Sequence, residues 1–183
     1  MGHGPGETAG VCPDRGNLAG MKKTLLSALF VLIVLPIASA LQAQDAIPNF
    51  TGKWNLDASK SDFGPMPPPE SIVHVVDHKE PSVKIVTTQK GAQGEVTTER
   101  QLTTDGKENV NKMRVGPTEQ DVTSTTKWSG KALTTAFKLD MQGNVFDVND
   151  SWKLSDDGKV LTIVRDIKTV QGDFTTTTVY NKQ

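Results

Sequence analysis

From Asn49 onward, apolar and polar residues alternate with a period of two, in short runs separated by turn residues. Leu133-x-Thr135-x-Phe137-x-Leu139, Phe146-x-Val148-x-Asp150-x-Trp152-x-Leu154 and Leu161-x-Ile163-x-Arg165-x-Ile167 carry the alternation over whole segments. Ile72-x-His74-x-Val76, Val83-x-Ile85 and Val96-x-Thr98-x-Arg100-x-Leu102 show it earlier, and a Thr-rich run from Phe174 to Tyr180 ends the pattern. Such β-branched segments suit a pleated, half-buried surface. Asp105-Gly106 and Asp157-Gly158 are hairpin signals, and Ser129-Gly130 is a weaker one. Gly116-Pro117 and the Gln-Gly pairs beginning at Gln93, Gln142 and Gln171 add further breaks. No window carries a 3.6-residue stripe, so connecting helices and a parallel sheet are not expected.

The pattern predicts an all-β fold, an antiparallel up-and-down meander of about ten strands. An open sheet of that size exposes two edges, and closure into a barrel removes them. A barrel of roughly eight to ten strands is also the size that can hold one small ligand. The one long irregular piece is 58–69, whose Phe63-Gly64-Pro65-Met66-Pro67-Pro68-Pro69 must be extended. The barrel domain is expected to span 49–183.

The N-terminal pattern differs. Met21-Lys22-Lys23 is a basic start, residues 24–37 form an apolar stretch too short to span a bilayer comfortably, and Ala38-Ser39-Ala40 supplies small-x-small. Residues 21–43 therefore read as a cleaved signal peptide, with cleavage near Ala40 or Ala43 and a periplasmic or secreted product. Residues 1–20 are Gly-rich and aperiodic; they read as a non-native, disordered upstream extension, with Met21 the real start. Cys12, the only cysteine in the chain, lies in that extension, so the mature part offers no disulfide, thiol nucleophile or thiolate metal site. The formal net charge of -1 gives no general attraction to nucleic acid, and no membrane span remains after processing.

The opening run Asn49-Phe50-Thr51-Gly52-Lys53-Trp54-Asn55-Leu56, at the head of a meandering barrel, resembles the first strand of the calycins, the lipocalins and fatty-acid-binding proteins. The resemblance implies a barrel closed at its base by Gly52 and Trp54, with Arg165 packed across the indole. Together with the bacterial style of the signal at 21–43, it points to a bacterial exported lipocalin-like protein. The chain departs from fatty-acid-binding proteins in two places. A Pro-rich loop stands where they have a helical lid, and Thr178-Val179-Tyr180 stands where they have Arg-x-Tyr.

Candidate chemistry is sparse. His74 and His78 share a strand face but lie ~13 Å apart at about 3.3 Å per residue, too far to share a metal. There is no Gly-x-Ser-x-Gly elbow, and Glu95 and Glu99 read as surface charge. Arg100 and Arg165 are more informative, because each falls in register with apolar neighbours. Each must find a carboxylate such as Asp150, an aromatic face such as Trp54, or a ligand anion.

These features predict a non-catalytic monomer that binds a small hydrophobic or amphipathic molecule without a cofactor or metal. The expected lining is Arg100, Val96, Phe137, Phe146, Ile163 and Tyr180. Two rivals stay open: an envelope interaction module with a filled barrel, and a barrel enzyme acting on a lipophilic substrate. A cavity separates the first; polar groups with shifted pKa values converging inside it would favour the second.

Overall fold

The computed structural model describes residues 47–183 apart from Gln93, Gly116 and Pro117. The expected signal peptide, the upstream extension with Cys12, and the turns at Gln93 and Gly116-Pro117 lie outside the described residues.

Ten strands follow one another: β1 Gly52–Leu56, β2 Ser71–Lys79, β3 Ser82–Gly91, β4 Gly94–Thr103, β5 Asp105–Val115, β6 Thr118–Ser129, β7 Ala132–Met141, β8 Asn144–Leu154, β9 Val160–Thr169 and β10 Gly172–Lys182. They form one antiparallel sheet in the order β4-β3-β2-β1-β10-β9-β8-β7-β6-β5. The fold is thus an all-β meander in a nearly closed barrel. The β1–β10 pairing that joins its two halves is short, Trp54 opposite Lys182 and Leu56 opposite Tyr180.

The seam lies between β4 and β5, which are consecutive in the chain yet share no backbone ladder. Asparagine side chains bridge it. Asn111 accepts from the Gln101 amide at 2.6 Å and donates to the Gln101 carbonyl at 2.9 Å. Asn109 accepts from the Thr103 amide at 2.7 Å. Two side-chain amides thus satisfy backbone groups on the free edge of β4, which an edge strand otherwise leaves to solvent or to another chain.

Because β1 is short, the segment after it completes the wall beside β10. Asp57 and Asp62 donate their amides to Val179 and Thr177. A single 3₁₀ turn, Ala58–Lys60, lies between them. The predicted irregular loop is therefore partly ordered, and it runs over the end of the barrel where β2 begins.

Candidate functional site

The interior is layered, and strand register produces the layers. Trp128, Leu133, Trp152, Ile163 and Thr178 are successive cross-strand partners from β6 to β10. The next row, two residues along each strand, is Thr126, Thr135, Asp150, Arg165 and Thr176. The row after that is Ser124, Phe137, Val148, Ile167 and Phe174. Since side chains two apart share a face, a polar belt lies between two mainly apolar layers.

Below the belt the barrel is filled. Phe50, Trp54, Val83, Leu102, Leu133, Trp152 and Leu161 are buried in one cluster. The Phe50 ring stacks on His78 and Trp128 and meets Trp152 edge-on. The Phe50 amide donates to His78 Nδ1 at 3.2 Å, which fixes the tautomer, so Nε2–H donates to Glu80 at 2.9 Å. Thr104 and the Trp128 indole donate to the same carboxylate. Burial opposes ionisation of Glu80, but these three hydrogen bonds hold its carboxyl below the usual range.

Trp54 is fully buried here, its indole N–H donating to the Phe50 carbonyl at 2.9 Å. The expected Arg165–Trp54 contact does not form. Lys182 lies over that ring, its Nζ 5.2 Å from the centroid. Register explains the correction: Lys182 is the partner of Trp54, whereas Arg165 pairs with Thr176, six residues or about 20 Å along β10. Gly52 has φ +147°, and a Cβ there would fall 2.7 Å from the Lys182 stem, so glycine leaves room for the lysine.

Above the belt, Val122, Phe137, Val148 and Ile167 form a second cluster, with Met113, Leu139, Phe146 and Phe174 against it. This layer leads to the mouth. A cleft of about 360 Å³ opens there, lined by Pro65, Val145, Phe146, Val170 and Phe174 among others.

In the belt, Arg165 donates Nε–H and Nη2–H to the two oxygens of Asp150 at 2.6 and 2.8 Å. The Asp150 carboxylate raises the Arg165 pKa further. The barrel wall surrounds Arg165, yet 37% of its side-chain surface stays accessible against 1% for Asp150. Water-sized space therefore reaches the guanidinium from the inner side of the barrel.

From the opposite wall come His74 on β2, Thr87 on β3 and Arg100 on β4. Arg100 lies inside the barrel, half-buried. Burial lowers its pKa, Asp150 acts to raise it, and no protein group among the described residues hydrogen-bonds it. His74 Nδ1 lies 2.8 Å from the Thr87 hydroxyl, and the imidazole sits against the Tyr180 ring with centroids 4.6 Å apart. Burial, with Arg100 and Arg165 nearby, pulls the imidazole down to about 3. Burial pushes the Tyr180 phenol up.

The residues expected to line a ligand spread over three levels. Phe137 and Phe146 lie in the mouth layer, and Val96 pairs with Gln89 toward the same end. Arg100 lies in the belt, while Ile163 and Tyr180 belong to the filled base. Sequence reasoning missed His74, Thr126 and Thr135 as belt members and Phe50, His78 and Glu80 as the base closure. A signal for the belt was present: Thr135, Asp150 and Arg165 each interrupt an apolar phase midway.

The barrel is similar to that of fluorescent protein UnaG, at 14% identity and a TM-score of 0.51, over 73% of this chain and 97% of that one. It is also similar to two abundant heat soluble proteins from Ramazzottius varieornatus, both at a TM-score of 0.50. These are 14% and 13% identical, over 73% and 75% of this chain and 94% and 96% of theirs. No protein-family profile and no curated protein sequence matches the chain. The chain has the nearly closed antiparallel barrel fold that these proteins share.

Proposed function

We propose that this protein is a non-catalytic carrier that takes an amphipathic molecule with an anionic head group into its barrel. The observation that carries the reading is Arg100, a half-buried guanidinium in the interior belt with no hydrogen bond from the described residues. Two arginines face one aspartate there, and the His74 imidazole is neutral, so the belt holds one positive charge in excess. An anion with apolar substituents fits that arrangement. Its head meets Arg100, and its body lies among Phe137, Phe146 and Phe174 toward the mouth. The filled base admits the head no deeper.

The belt offers little to an enzyme reading. The pKa values of His74 and Tyr180 move away from neutrality in opposite senses, and general acid–base catalysis works best near the operating pH. The carrier acts after export, as the leader-like pattern of residues 21–43 suggests, in the periplasm or outside a bacterial cell and as a monomer. Titration of the mature protein with a fluorescent fatty-acid analogue tests the reading. Affinity in the micromolar range or better, about -8 kcal/mol, is expected. Failure to bind any amphiphile would favour the interaction module.

A further inference from the structure

Among the described residues, His74 Nε2 is a buried side-chain nitrogen with no hydrogen-bond partner. His74 keeps only 6% of its surface accessible, so water in the bulk does not serve it. Leaving a buried polar atom unpaired is costly, and native interiors rarely accept that without a reason. The rest of the ring is well held: Thr87 fixes Nδ1, and Trp152 and Tyr180 pack against the ring, with centroids 5.6 and 4.6 Å away. The charged groups acting on it are Arg100, Arg165 and Asp150, net positive. That field favours the tautomer whose Nδ1–H donates to Thr87, leaving the Nε2 lone pair in the interior as an acceptor. Register sets acceptor and anion site on one inner face of the barrel, two strands apart and offset by two residues. Arg100 pairs with Ile85, Ile85 with Val76, and Val76 is two residues from His74 on the same face of β2.

We propose that His74 and Arg100 form a two-point head-group site, in which the cargo sets its anionic oxygens on Arg100 and donates a hydroxyl proton to His74 Nε2. The inference rests on the carrier reading and narrows it to hydroxylated acids. A plain fatty acid meets Arg100 and leaves Nε2 unpaired. An acid bearing a hydroxyl on the carbons next to its carboxylate meets both.

Calorimetric titration of the full mature protein with tetradecanoate and with its alpha- and beta-hydroxy derivatives tests this. At least one hydroxy acid is expected to bind roughly tenfold more tightly than tetradecanoate, the scale of one neutral hydrogen bond. In His74→Phe that preference should fall to near unity. The wild-type protein supplies a measurement independent of that variant's folding: the nitrogen-15 resonance of the unprotonated ring nitrogen of His74 should shift with the hydroxy acid and not with tetradecanoate. Equal affinities and an unmoved resonance would overturn the two-point site while leaving the carrier reading intact. Binding of none of these acids would overturn both.

Discussion

Asp150 on β8 and Arg165 on β9 are direct cross-strand partners, and their side chains close a bidentate ion pair inside the barrel at 2.6 and 2.8 Å. This pair commits one of the two interior arginines to the protein's own structure, while Arg100 makes no hydrogen bond among the described residues. The buried end is the aspartate, so removing the arginine strands a carboxylate that water hardly reaches. Arg165→Leu is expected to cost about 3 kcal/mol in chemical denaturation, the lower end for a buried pair because the guanidinium keeps water contact. Adding Asp150→Leu should recover most of that loss. A double variant no more stable than the single would show that the pair is not the source of the cost.

Arg100→Leu should fold normally, because the guanidinium makes no hydrogen bond among the described residues and its phase on β4 also holds Val96 and Leu102. Binding of an anionic amphiphile should weaken by about 1.5–3 kcal/mol, while a neutral analogue of the same length is spared. Titration of both ligands against both proteins separates the cases: equal weakening would mean altered packing instead of a lost charge contact.

The His74 imidazole, held near a pKa of about 3 in the fold, has an ordinary value of about 6.5 when unfolded. Between those values the unfolded chain binds a proton that the folded chain refuses. Stability therefore falls as pH drops below about 6.5, by up to about 1.4 kcal/mol per pH unit for this group. Urea melts of wild type and His74→Phe between about pH 5 and 7 should differ in slope by that single proton. Parallel curves would place the imidazole in a far wetter environment.

Trp54→Ala should cost about 3–5 kcal/mol, since the indole is fully buried and hydrogen-bonded to Phe50. Lys182→Ala should cost under about 1 kcal/mol, because the lysine is solvent-exposed and covers only one face of the ring. Thermal denaturation of the two variants gives the comparison, and a Trp54→Ala midpoint within a few degrees of wild type would contradict the buried base.

At the seam, Asn111→Leu removes both the acceptor and the donor that Gln101 uses. Amide exchange at Gln101 should accelerate while β9 amides, deep in the ladder, keep their protection. Unchanged exchange at Gln101 would mean that β4 and β5 are joined by something other than these asparagines.

Strand number and order follow from local physics, and the sequence carries them. Alternation fixes which side chains share a face, and Asp157-Gly158, Gln142-Gly143 and Gln171-Gly172 mark reversals. The hairpin expected at Asp105-Gly106 does not form, because that pair lies inside β5 beside the unpaired seam. Ten consecutive antiparallel strands can escape exposed edges only by curling. The same alternation marks Arg100 and Arg165 as inward. What each arginine touches depends on cross-strand register, which accumulates around the whole barrel. One such count sets Arg165 against Asp150 rather than Trp54, and another brings Lys182 over Trp54 from 128 residues along the chain. The free nitrogen of His74 is likewise a tertiary fact. In sequence it is one polar residue on a strand, and only the packing of Thr87, Trp152 and Tyr180 around it removes every other partner. Periodicity is a property of neighbours in the chain, whereas an ion pair or an orphaned lone pair is decided by groups that only closure of the barrel brings together.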